Sequence, residues 1–164
     1  MNKTRLLTTM AVFVAIGTIT AQLIWFPAGI ARAYPMQHAI NVIAGVLLGP
    51  GPAVIIAFMI GVLRNLLGLG TLLAFPGGMV GAFLAGYFYK KSGKKGFAAF
   101  GEGLGSGIIG AFAAVPFAYV FMGSAVGAFA FLPPFLVSSL TGSIIGWLII
   151  SRVKANTFLS IHPK

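Results

Sequence analysis

Acidic side chains are almost missing from this sequence. Glu102 is the single Asp or Glu, set against eleven Lys and Arg. Paired carboxylates for general acid–base chemistry are therefore excluded, and a proton pathway built on carboxylates has little material. Cysteine is absent, which removes disulfides, thiolate metal sites and thiol redox chemistry but leaves the compartment open. Neither HExxH nor GxSxG occurs, and the two histidines, His38 and His162, are far apart, so no nucleophile–base pair is visible. The chain reads as a non-enzyme without a cofactor of its own. It also lacks a GxxxxGKS/T phosphate loop, so it does not itself hydrolyse ATP.

Charge of either sign is scarce: charged residues make up 7% of the chain and hydrophobic residues 59%, with a mean hydropathy of +1.02. Long uncharged runs cover 6–31, 33–63, 65–89 and 103–151. A helix needs about 20 apolar residues to cross roughly 30 Å of hydrocarbon, so each run supplies one span or more. A β-barrel would alternate polar and apolar residues, and these runs do not. The expectation is an all-α membrane protein forming one integral domain over 1–164. The net charge of +10 does not point to nucleic acid, because nine of the eleven basic residues flank hydrophobic runs instead of forming a patch interleaved with aromatics. Lys3 and Arg5 followed by an apolar stretch resemble a secretory signal. That stretch is long for a signal core and Thr18-Ile19-Thr20-Ala21 is a poor cleavage pattern, so a retained helix is expected.

Six helices are expected, at about 6–26, 35–48, 53–66, 72–89, 102–121 and 129–150. The decisive region is 33–63, which as one straight helix would reach roughly 46 Å, too long for one comfortable crossing. Pro50-Gly51-Pro52 divides it into two short helices. Charge parity then chooses between one crossing and a hairpin that enters and leaves by the same face. With Lys3 and Arg5 inside, the hairpin brings Lys90, Lys91, Lys94, Lys95, Arg152, Lys154 and Lys164 inside as well, leaving Arg32 and Arg64 outside. Both termini are then expected to be cytoplasmic.

This topology gathers two polar islands at the outer end. One is Tyr34-Pro35-Met36-Gln37-His38-Ala39-Ile40-Asn41, preceded by Arg32; the other is Arg64-Asn65 with Gly68, Gly70 and Thr71. Gln37 and Asn41 stand four residues apart, and His38 and Asn41 three, so they share part of a helix face. Interhelical hydrogen bonding is the plain explanation. Their crowding with Arg64, Asn65 and Tyr34 favours a ligand site supplied with amide, imidazole and guanidinium groups. Arg64 has a competing reading, an interfacial arginine reaching for headgroups. Trp25, Phe26, Tyr34 and Phe75 are within reach of the same cleft, although packing is the simpler role for each.

Glu102 is expected near the inner start of the fifth helix, stabilised by the helix dipole and paired with Lys94 or Lys95. The literal GxGxxG at Gly105–Gly110 follows no strand, and its small residues suit close helix packing instead of dinucleotide binding.

Two stretches, Tyr34-Pro-Met-Gln-His-Ala-Ile-Asn-Val-Ile-Ala-Gly-Val-Leu-Leu-Gly-Pro50 and Arg64-Asn-Leu-Leu-Gly-Leu-Gly-Thr-Leu-Leu-Ala-Phe-Pro-Gly-Gly78, together with Gly107-Ile-Ile-Gly110, resemble the ThiW family. ThiW proteins are substrate-binding S components of energy-coupling-factor vitamin importers. The resemblance covers about residues 5–150. It implies a six-helix protein of a prokaryotic cytoplasmic membrane that captures a thiamin precursor, hydroxyethylthiazole, and docks on a transmembrane coupling protein with two ATP-binding subunits. Substrate-binding residues are then expected among Tyr34, Gln37, His38, Asn41, Arg64, Asn65, Thr71 and Phe75. Docking is expected through the AxxxA face of Ala11 and Ala15, extended by Gly17 and Thr18. By physics alone that small-residue face packs equally well inside the bundle. The rival class is a small self-assembling channel or proton-coupled transporter for a polar solute.

Overall fold

The computed structural model describes residues 2–29, 31–123 and 127–153. Lys154, His162 and Lys164, used in the charge count and the motif search, lie outside the described residues. Helix α1 spans Lys3–Leu23 and starts where Asn2 Oδ1 accepts from the Arg5 N–H at 2.9 Å. It ends three residues short of the expected Phe26, because the chain turns into a two-stranded antiparallel ribbon. Strand β1 (Phe26–Ala28) pairs with β2 (Ala31–Ala33) in the register Phe26↔Ala33, Pro27↔Arg32, Ala28↔Ala31. Pro27 disfavours helix at Phe26, and Gly29 takes a positive φ of 61° at the turn.

Helix α2 (Pro35–Leu48) and helix α3 (Pro50–Leu66) are separated by one residue, Gly49, with φ 85°. The expected break at Pro50-Gly51-Pro52 is corrected. Those residues are the first turn of α3, where a proline sacrifices no intrahelical bond. Helix α4 covers Ala74–Ser92, carrying Lys90 and Lys91 in its last turn beside exposed carbonyls. Helix α5 (Lys95–Glu102), a π-helical segment (Gly103–Ile109) and helix α6 (Gly110–Met122) run on without interruption, and α7 covers Ala128–Arg152. The fifth element therefore begins seven residues before the expected Glu102. That shift moves the one acid from a helix end to mid-helix.

Three of these segments, Lys3–Leu23, Lys95–Phe121 and Ala128–Arg152, are long and apolar enough to cross a bilayer; α2 and α3 are shorter apolar helices. Leu7, Ile19, Leu23, Phe129 and Tyr119 stand well exposed around the bundle, a surface that suits hydrocarbon and not water. The protein is a helical membrane protein.

Helix α2 is central, in contact with α1, α3, α4, α5 and α7. Ile40 and Ala44 of α2 pack with Ile56, Ala57 and Ile60 of α3, and Met10, Phe13 and Val14 of α1 cover them. Close approach elsewhere depends on small residues. A Cβ on Gly105 would lie 2.6 Å from the Gly81 Cα, and one on Gly86 2.6 Å from the Pro50 backbone. The glycine-rich segment of the fifth element is thus a helix-packing surface. Gly17 and Thr18 are buried in the bundle, Gly17 against Ile60 and Ile40, so they do not extend the outer small-residue face. Ala11 and Ala15 are exposed.

Candidate functional site

At the end of the bundle carrying the β-ribbon and the α3–α4 loop, the helices enclose a cavity of about 560 Å³. This falls within the usual range for small-ligand pockets, roughly 300–1,000 Å³. Its two sides differ chemically. Leu73, Ala118, Phe131, Pro134 and Phe135 form an apolar, partly aromatic side drawn from α6, α7 and the residue preceding α4. Tyr34, Gln37, His38, Arg64 and Thr71 line it with polar groups.

Arg64 organises the polar side near the mouth. It sits in the last turn of α3 yet is only 3% exposed, so it does not reach for headgroups. One guanidinium nitrogen donates to the Gln37 Oε1 in a short hydrogen bond, and another donates to the Leu69 carbonyl at 3.3 Å. The guanidinium also covers the Tyr34 ring, 3.8 Å from its centroid, a cation–π contact that offsets part of the desolvation. Among the described residues its Nε has no hydrogen-bond partner. Tyr34 is in turn held by its backbone N–H, which donates to the Ser138 hydroxyl of α7 at 2.8 Å. Arg32, on β2, stays exposed over the Trp25 ring at 4.2 Å, at the rim of the cavity.

Deeper in the bundle lies a second polar cluster. Glu102 is fully buried, and its Oε1 gathers three groups. His38 Nδ1 is 2.7 Å away, the Asn41 side-chain amide donates at 3.1 Å, and the Ser106 hydroxyl lies at 2.7 Å. Asn41 spends its second N–H on the Gly78 carbonyl at 3.1 Å. The Ser106 hydroxyl has one proton for two acceptors, Glu102 and the Gly77 carbonyl at 2.9 Å. The expected pairing of Glu102 with Lys94 or Lys95 is overturned. Lys95 Nζ instead donates to the carbonyls of Ile150 (2.7 Å) and Val153 (2.8 Å). The physical reason is the earlier helix start, which leaves Lys95 at the far end of the bundle and carries Glu102 inward to α2 and α4.

Of the residues expected at a site, Tyr34, Gln37, His38, Arg64 and Thr71 line the cavity. Asn41 lies behind His38, fully buried against Glu102. Asn65 braces the α3–α4 loop, donating to the Gly61 carbonyl at 2.9 Å and the Thr71 carbonyl at 3.4 Å. Phe75 packs on Phe58, with ring centroids 5.7 Å apart, and against Gly61. Neither Asn65 nor Phe75 borders the cavity. Sequence reasoning missed Ser106, Ser138 and the α6–α7 wall, for which no polar pattern gave a signal. It misplaced Glu102, although a lone acid in an apolar chain is itself a signal. Among the described residues, no group of three or more metal-ligating side chains forms.

A family model described as thiamine-precursor transporter protein (ThiW) matches residues 7–156. No curated protein and no solved structure matches the chain.

Proposed function

The chain belongs to the ThiW family of thiamine-precursor transporter proteins, and from that premise we propose that it is the substrate-capture component of an ATP-driven energy-coupling-factor importer for hydroxyethylthiazole. The observation that carries this reading is the two-sided cavity. A small heterocycle with a polar arm needs an aromatic, apolar wall for its ring and fixed polar groups for its substituents. Phe131 and Phe135 suit the ring, and His38, Gln37 and Arg64 suit the arm.

Charge parity supports an orientation in which the cavity faces outward. Six helical elements are then embedded, α2 and α3 form a hairpin, and both ends of the chain are cytoplasmic. The lysines of α4 and α5 end up inside with Arg152. The chain has no ATP-binding loop, so energy would come from two ATP-binding subunits through a transmembrane coupling protein. The exposed Ala11 and Ala15 face of α1 would dock on that protein, and release would follow reorientation of the whole chain in the membrane.

Calorimetry or native mass spectrometry against thiamin, its thiazole and pyrimidine precursors and their phosphates tests the ligand. Hydroxyethylthiazole should bind most tightly, and His38→Ala or Asn41→Ala should weaken it. Ala11→Trp and Ala15→Trp should leave binding intact and abolish uptake in cells; normal uptake by both variants would remove the docking assignment. The pairing of His38 with the buried Glu102 favours one second reading, a self-sufficient proton-coupled transporter. That reading requires pH-gradient-driven uptake by the chain alone in liposomes, without ATP or partner subunits.

A further inference from the structure

We propose that Glu102 is a positioning residue that fixes His38 as a neutral, Nδ1–H imidazole, so that His38 Nε2 serves as hydrogen-bond acceptor for the ligand's hydroxyl. This rests on the thiazole reading for the identity of the ligand, and on geometry for everything else.

The Glu102 carboxylate is 0% exposed and its Oε1 is surrounded by His38 Nδ1, the Asn41 amide and the Ser106 hydroxyl. The Asn41 N–H is a donor by chemistry, the Ser106 hydroxyl can give its proton to Oε1 or to the Gly77 carbonyl, and an ionised Glu102 is the one anion that balances the buried Arg64, so Oε1 is placed to accept. A proton on Oε2 would be a buried donor without an acceptor, since among the described residues Oε2 has no hydrogen-bond partner, and it lies against Gly81. Glu102 is therefore the ionised acceptor, and His38 Nδ1 must carry the proton it shares with Oε1.

The other imidazole nitrogen is decided by the charge balance of the cavity wall. Arg64, 3% exposed, is permanently cationic, and Glu102 is the one anion of the chain. A neutral His38 leaves this buried set at zero net charge, whereas an imidazolium would add an uncompensated cation in a poorly solvated site. Arg32 lies exposed at the rim on Trp25, and Lys95 is tied to carbonyls of α7 and Val153 at the other end of the bundle. Among the described residues His38 Nε2 has no hydrogen-bond partner, and His38 borders the cavity. Its free lone pair is thus the acceptor available to a ligand O–H, and a ligand without that donor leaves it unpaired.

The test has a spectroscopic arm and a binding arm. In protein labelled with 15N-histidine, with His162→Gln leaving His38 as the one imidazole, the nitrogen spectrum should show a neutral ring protonated at Nδ1. A ring protonated at Nε2, or at both nitrogens, overturns the proposal. In calorimetry, wild-type protein should prefer hydroxyethylthiazole over 5-ethyl-4-methylthiazole by about tenfold, the net worth of one hydrogen bond. Glu102→Leu, which removes the acceptor of the Nδ1 proton, should leave the ring no longer held as Nδ1–H and reduce that preference below about threefold. An undiminished preference in Glu102→Leu, with the ring still protonated at Nδ1 alone, also overturns the proposal. Should Glu102→Leu fail to fold, the wild-type spectrum and the wild-type preference decide. If neither thiazole binds wild type while the Nδ1–H ring is present, the thiazole reading fails and the Glu102–His38 assignment stands.

Discussion

The cavity is served by two polar clusters, and each buries one full charge in a different way. Around Arg64 the charge meets neutral groups only: the Gln37 amide oxygen, the Leu69 carbonyl and the face of Tyr34. Around Glu102 the charge draws three groups onto one oxygen and ties α2 to the π-helical segment, with Asn41 and Ser106 also bonded to the α4 carbonyls of Gly78 and Gly77. The first cluster links α2 to the end of α3 and its loop at the mouth of the cavity. The second joins three elements in the interior, where an unmatched donor has no water to turn to. The comparison teaches that the Arg64 cluster should matter chiefly to ligand affinity, and the Glu102 cluster to stability as well.

The harshest way to break this contrast is Glu102→Ala. Removing the carboxylate strands the His38 Nδ1–H and one Asn41 N–H and leaves a hole. A loss of about 3–5 kcal/mol is expected from two buried unpaired donors and the cavity together. Thermal unfolding in detergent or nanodiscs measures it. A variant that melts with wild type would mean the cluster contributes nothing to holding the helices together.

A gentler probe leaves Glu102 in place and disturbs its seat. A Cβ on Gly81 would collide with the Ser106 hydroxyl and lie 2.5 Å from Glu102 Oε2, whereas one on Gly51 meets nothing within 4 Å. Gly81→Ala should therefore cost about 1–3 kcal/mol of stability by overpacking. Gly51→Ala, in the open first turn of α3, should be neutral or gain up to about 1 kcal/mol from helix propensity. Equal melting temperatures for the two variants would show that the α4–Glu102 contact yields freely.

The contrast between the clusters also explains what was legible in the chain itself. Long uncharged runs, proline positions and charge parity indicated six helical elements, and their boundaries erred by three residues at Pro50–Pro52, where proline was read as a breaker instead of a first-turn residue, and by seven at the fifth element. The Arg64 cluster was visible because its members are the few polar residues of two short stretches. Of the Glu102 cluster, His38 and Asn41 were visible in the same way, whereas Glu102 itself was misplaced for a local reason. The fifth helix was expected only from Glu102, beside the uncharged run 103–151, yet it begins at Lys95, and the small Gly101 lets it lie against Leu84 of α4. Once the helix begins at Lys95, Glu102 moves inward by about two turns, at about 3.6 residues per turn. The aromatic wall from Phe131 and Phe135 left no trace in the pattern, since an apolar residue facing a cavity looks the same as one facing lipid.

The finest comparison sets the two arginines against each other. Arg64→Lys keeps the charge but loses the planar fork that reaches Gln37 and Leu69 together, and the flat contact with Tyr34. Ligand affinity should fall by about tenfold, since roughly 1–2 kcal/mol of partly desolvated cation–π and hydrogen-bond energy is disturbed. Arg32→Ala removes an exposed guanidinium from Trp25 at the rim, where solvent screens its field, so affinity for an uncharged ligand should change by less than about threefold. A phosphate ester of the same ligand would separate the two further, because Arg32 would then supply a charge at the entrance. If Arg32→Ala weakens the uncharged thiazole as much as Arg64→Lys does, the exposed rim of Arg32 and Trp25 holds the ligand as firmly as the Arg64 cluster, and affinity is not the special business of that cluster.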